Sequence, residues 1–136
     1  MPTAIEAAAG AVVVVFGLCL VAFLGVAVAK PATARWFLAA FASSARAHYT
    51  EHVVRLLIGV ALVVRSPAMW QPRMFRLAGW AIVISSVVLL CLPWQWHYRF
   101  GERLRPLFFR YLWLYVTGAC AFGVLLLYGV LAGGDA

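Results

Sequence analysis

Four long apolar segments are the feature that most constrains what this chain can fold into. They cover about residues 5–29, 45–64, 74–92 and 107–131 of the 136-residue sequence. A hydrocarbon core of about 30 Å is crossed by about 20 residues of α-helix, and each segment comes close to that length. Because 66% of the residues are hydrophobic, a soluble domain of this size has too little interior to bury them. The segments predict an all-α integral membrane four-helix bundle that forms a single domain.

The first segment carries a single charge, Glu6, and no basic region precedes it. Its apolar length also exceeds the roughly 7–15 residues of a signal-peptide core, so we expect a retained transmembrane helix. The small residues at 27–29 keep a cleaved leader as the alternative.

Two connections between the segments are rich in aromatic and basic residues. From about residue 33 the pattern is helical, and Trp36, Phe37 and Phe41 fall near one face. That pattern predicts an amphipathic stretch in the headgroup region before span two, with one long tilted helix over residues 33–64 as the alternative. After Pro93 closes the third segment, residues 94–106 are predicted to form a polar, aromatic loop.

The basic residues give a formal net charge of +7 and predict an orientation. They lie at the ends of apolar segments, so we expect the lipid bilayer, and no nucleic acid, as a partner. Positive-inside counting places the two long connections in the cytoplasm and both termini outside, in a bacterial-type inner membrane. These connections hold Lys30, Arg35, Arg46, Arg99, Arg103 and Arg105, whereas the opposite side holds Arg65, Arg73 and Arg76.

A polar stripe at the start of span two is the main chemical signal. His48, Glu51, His52 and Arg55 share one helical face because they are spaced i, i+3, i+4 and i+7. Only nine uncharged residues follow before the next arginine, and they cover about 14 Å of helix. Arg55 must therefore lie below the membrane surface, where ionisable groups are costly and are by default paired or functional. The predicted topology places His97 at the same depth.

The leading interpretation of the stripe is structural. Glu51 and Arg55 are spaced i, i+4 in the favourable order and can neutralise each other within a polar seam. No nucleophile lies at a recognisable spacing from a base, so no catalytic residue is assigned. We expect a small non-catalytic protein, an accessory or assembly subunit of a membrane complex. Faces for other membrane subunits or a second copy are offered by Gly10, Gly17 and Gly25 and by the GxxxG pair Gly129 and Gly133.

A redox-associated, metal- or haem-binding function is the first alternative. His48 and His52 present two imidazoles on one helical face, and Glu51 or His97 would complete a metal site. A haem b would instead take His48 or His52 on one side and His97 on the other. The cofactor therefore stays open between none, a metal ion and haem b.

The second alternative is an anionic lipid or small-anion binder. Basic pockets near the membrane surface bind anionic headgroups, and tryptophans supply a hydrophobic rim. The arginines expected to contribute are Arg46, Arg99, Arg103 and Arg105.

Overall fold

The computed structural model describes residues 3–40 and 44–133, and all of its regular structure is helical. Four of the helices in these residues are long and apolar enough to span a membrane, which is consistent with a multi-pass membrane protein. Phe41, assigned from the sequence to the amphipathic stretch, lies outside the described residues. The helices are α1 (Ala4–Ala29), α2 (Pro31–Ala40), α3 (Ala45–Arg65, extended by a short 3₁₀ turn at Ser66–Ala68), α4 (Pro72–Cys91), α5 (Trp94–Arg110) and α6 (Leu112–Gly133).

Side-chain caps and prolines set the helix boundaries. Thr3 and Glu6 form a reciprocal capping box at the start of α1. Ser44 has an extended backbone (φ −152°, ψ 166°), and its hydroxyl accepts a hydrogen bond from the Ala47 N–H at 3.1 Å. Because Ser44 is extended, α2 and α3 are separate helices, and the alternative of one long helix over residues 33–64 is wrong.

Two helix pairs make up the bundle: α1 packs along α6, and α3 packs along α4, with α1 and α3 joining the pairs. Glycines allow the close approach within each pair. A Cβ on Gly59 would lie 2.8 Å from the Val83 side chain, and one on Gly123 would lie 2.8 Å from the carbonyl oxygen of Gly17. In a bilayer such contacts replace the hydrophobic effect as the source of helix association.

Most of the glycines predicted to bind a partner are used inside the chain. Gly10 lies against the Arg65 side chain, and Gly17 faces α6. Gly129 packs on Phe75, and Gly133 on the Ala68–Met69 backbone. Gly25 is exposed, and a Cβ there would meet nothing within 4 Å. The prediction of a subunit partner or a second copy remains a prediction.

The largest departure from the sequence-based prediction is α5. Residues 94–106 were expected to form a loop, but they lie in a 17-residue helix that continues to Arg110. Span four accordingly begins at Leu112 and not near residue 107. Hydropathy alone does not reveal α5, because its polar and apolar residues are interleaved along the sequence and give no apolar run, although they separate onto different faces of the helix. Pro106 lies inside α5, where it removes one backbone donor.

Candidate metal centre

Three histidines from two helices converge at one end of the bundle. His48 and His52 lie one turn apart on α3, and His97 lies in the first turn of α5. Their ring centroids are 4.7 Å (His48–His52), 4.9 Å (His48–His97) and 5.0 Å (His52–His97) apart. One ring nitrogen from each residue can be chosen so that all three lie within 4.8 Å of one another. His97 thus contacts two residues of the polar stripe, His48 and His52.

His48 is fully buried, and a backbone carbonyl orients its ring. Its Nε2 lies 3.0 Å from the carbonyl oxygen of Leu89. Leu89 is in the last turn of α4, where carbonyls have no partner within the helix. Since a carbonyl only accepts, Nε2 carries the proton, and Nδ1 of the neutral ring presents a lone pair to the other histidines. Metal-ligating histidines typically have this arrangement, in which the second nitrogen donates to a carbonyl or carboxylate.

His97 meets that lone pair. The Nδ1 atoms of His48 and His97 are 2.8 Å apart, so in the neutral pair His97 donates and His48 accepts. Burial lowers the pKa of His97 below its ordinary value, and the nearby His48 and Arg55 lower it further. The neutral imidazole, which is the form that binds a metal ion, is thus favoured.

His52 is the unusual member of the cluster. Its side chain is completely buried, yet neither ring nitrogen has a hydrogen-bond partner among the described residues. A buried polar group without a partner costs about 1–3 kcal/mol, so such groups are rare and need an explanation. A ligand bound by the His52 ring would explain why its nitrogens are buried without a protein partner among the described residues.

Glu51 and Arg55 form a separate feature. Arg55 Nη1 lies 3.7 Å from Glu51 Oε1, and the two side chains are 40% and 17% exposed. The second carboxylate oxygen, Oε2, is buried without a hydrogen-bond partner among the described residues. The group of converging metal-ligand atoms consists of the three histidines and does not include Glu51.

A haem is harder to place than an ion. Its two axial imidazoles must lie on opposite faces of the porphyrin. Here His48 and His97 are in direct contact through their Nδ1 atoms, so a macrocycle would have to separate them. The arrangement favours a single ion over haem b.

The arginines predicted to bind an anion divide into two groups. Arg99 and Arg103 line one cleft of α5 together with Trp96 and Phe100. Arg105 instead pairs with Glu102 at 2.9 Å, and Arg46 is exposed in the first turn of α3.

Sequence reasoning missed the Leu89 carbonyl and the cleft residue Phe100, whereas tryptophans were expected beside the arginines. The position of Leu89 four residues before Pro93 is a signal for a free carbonyl at a helix end. Nothing in the sequence indicated the cleft while residues 94–106 were interpreted as a loop.

Comparisons of the chain with protein-family models, with curated proteins and with solved structures find no match.

Proposed function

We propose that this chain is a small membrane protein that binds one transition-metal ion through His48, His52 and His97. The observation that carries the proposal is the convergence of three buried or half-buried imidazoles, one of which has no hydrogen-bond partner in the part of the chain that the structure describes. Imidazole nitrogen suits Zn²⁺, copper, iron and nickel, and three histidines with one open position form a known zinc ligand set. Zn²⁺ is the ion we would test first.

The distances require only small movements. At a Zn–N distance of about 2.05 Å, tetrahedral ligand nitrogens lie about 3.3 Å apart. The His48–His97 nitrogens at 2.8 Å would have to separate by about 0.5 Å, and the widest spacing of 4.8 Å would have to close by about 1.5 Å. Rotation of the His52 and His97 rings supplies such shifts. If His97 binds through Nδ1, the proton there moves to its Nε2, and the ring remains neutral.

The bound ion would connect helices that are otherwise weakly joined. α5 has few contacts with α3 and α6, and only Leu92 and Pro93 link it to α4. An ion held by two ligands from α3 and one from α5 would fasten α5 to the bundle. The role of an accessory subunit is compatible with such a site and remains a prediction.

Metal titration of purified protein tests the proposal. The affinity tag should contain no histidine, because a polyhistidine tag would add competing ligands. After treatment with a chelator, the detergent-solubilised protein should bind one Zn²⁺ per chain, and Co²⁺ should give the absorption of a tetrahedral complex. His52→Ala should abolish this binding, whereas the matched neighbour variant Glu51→Gln should retain it.

Helical content and elution volume show whether each variant is folded. If folded His52→Ala protein binds Zn²⁺ as tightly as the original, the three-histidine site is wrong. If the original protein binds no ion, the histidines form a structural cluster, which supports the polar-seam interpretation.

A further inference from the structure

Two adjoining clefts lie along the exposed face of α5 that carries Trp96 and Phe100. The first is lined by Trp96, Arg99, Phe100 and Arg103. The second lies towards the end of α4 and shares Trp96 and Phe100 with the first, adding Leu89, Leu92 and His97. The shared aromatic pair therefore separates a basic cleft from an apolar one.

Helical geometry explains how α5 forms this pair of clefts. Trp96 and Phe100 are spaced i, i+4, as are Arg99 and Arg103, so each pair stacks along the helix and the two pairs lie side by side. Trp96 is 61% exposed and Phe100 is 62% exposed. Large aromatic side chains beside arginines are typical of a helix that lies in the membrane interface.

Within residues 3–40 and 44–133, no carboxylate neutralises the charge of the basic cleft. Arg105, two residues beyond Arg103, is paired with Glu102 at 2.9 Å. Neither Arg99 nor Arg103 forms a salt bridge with a carboxylate of the described residues. Two guanidinium groups one turn apart are suited to a phosphate, because their N–H groups bind its oxygens in parallel.

We propose that this two-part groove binds one anionic phospholipid. Its phosphate lies between Arg99 and Arg103, and an acyl chain follows Leu89 and Leu92 beyond the Trp96–Phe100 pair. A free phosphate ion would satisfy the arginines but would leave the apolar cleft uncovered, which is why the groove fits a lipid. The proposal does not depend on the proposed metal function, although His97 also lines the apolar cleft.

The experiment is native mass spectrometry of the protein in detergent with equal amounts of phosphatidylglycerol and phosphatidylcholine. We expect retention of one phosphatidylglycerol per chain in preference to phosphatidylcholine. In the double variant Arg99→Gln/Arg103→Gln this preference should fall about 30-fold, which corresponds to about 1 kcal/mol for each arginine near the membrane surface. The matched control is Arg73→Gln/Arg76→Gln, which removes two exposed arginines of α4 at the opposite end of the bundle.

Two further measurements distinguish a lipid from a free anion as the ligand. Leu92→Asn leaves both arginines in place but should weaken retention, because it makes the apolar cleft polar. An excess of inorganic phosphate should displace little lipid. The proposal is overturned if both arginine pairs matter equally, since the effect is then one of overall charge. It is also overturned if inorganic phosphate displaces the lipid fully or if Leu92→Asn has no effect, since the site then binds a free anion. Circular dichroism confirms that each compared variant is folded.

Discussion

Replacing His52 with leucine should stabilise the metal-free protein while abolishing its stabilisation by metal. A neutral imidazole has one N–H and one lone pair, and both are buried at His52 without partners among the described residues. In soluble proteins each such group costs about 1–3 kcal/mol, and the lower end applies in a membrane, where the unfolded chain also lies in the bilayer. His52→Leu keeps a similar volume and removes both groups. We therefore expect the free energy of unfolding to rise by about 2 kcal/mol.

Metal binding should make the original protein more stable than the His52→Leu variant. At a free ion concentration of 100 times the dissociation constant, the original protein gains about 2.7 kcal/mol, whereas the leucine variant gains nothing. The original would then be the more stable of the two by about 0.7 kcal/mol. The assay is unfolding by sodium dodecyl sulfate in mixed micelles, followed by circular dichroism, with chelator or with Zn²⁺. His52→Gln is the control, since it keeps a buried donor and acceptor and should not stabilise.

Two results would refute this reasoning. If His52→Leu lowers the metal-free stability by more than about 1 kcal/mol, the imidazole makes favourable interactions and does not lack a partner. If Zn²⁺ stabilises both proteins equally, His52 is not a ligand.

Three further predictions concern titration and packing. The pKa of His97 is lower in the folded protein than in the unfolded chain, so the unfolded chain binds more protons below about pH 6.5. The free energy of unfolding of the metal-free protein should therefore decrease as the pH falls from 7 to 5, and unfolding measured at each pH tests this. A flat profile would contradict the prediction. Gly59→Ala should lower the free energy of unfolding by about 1–3 kcal/mol, because the added Cβ would push α3 away from α4. Gly118→Ala is the control: a Cβ there would meet nothing within 4 Å, so thermal melts should show a neutral or stabilising effect. Arg55→Leu should lower the free energy of unfolding by about 1 kcal/mol, because it leaves the half-buried Glu51 carboxylate uncompensated. Adding Glu51→Gln should restore stability, and unchanged stability in Arg55→Leu alone would exclude the polar seam.

The sequence predicted the four apolar helices well because length and hydropathy are the main requirements for crossing a bilayer. The first candidate span, Ala4–Ala29, differs from the predicted segment by one residue at its start. Prediction was poorer for α5, whose helical form depends on an amphipathic pattern and on neighbouring helices. Local sequence does not distinguish that pattern from a polar loop, because Pro93 and Pro106 bracket residues 94–105 as they would bracket a loop.

The candidate metal site was predictable in part, because regular helices fix which residues share a face. Helical spacing places His48 and His52 on one face, and four spans bring His97 to their level. The inward direction of the His97 ring was not predictable, because it depends on the helical form of residues 94–110. The carbonyl of Leu89 belongs to the backbone of another helix, and hydropathy contains no information about it.

Helix α5 carries His97 on the side towards the bundle and Arg99 and Arg103 in the outer cleft. One helix thus contributes residues to both proposed sites, so a shift of α5 would affect both. Linkage requires that any effect of bound lipid on metal affinity be matched by an equal effect of bound metal on lipid affinity. The anionic lipid content of the membrane would then influence the concentration at which the ion is released.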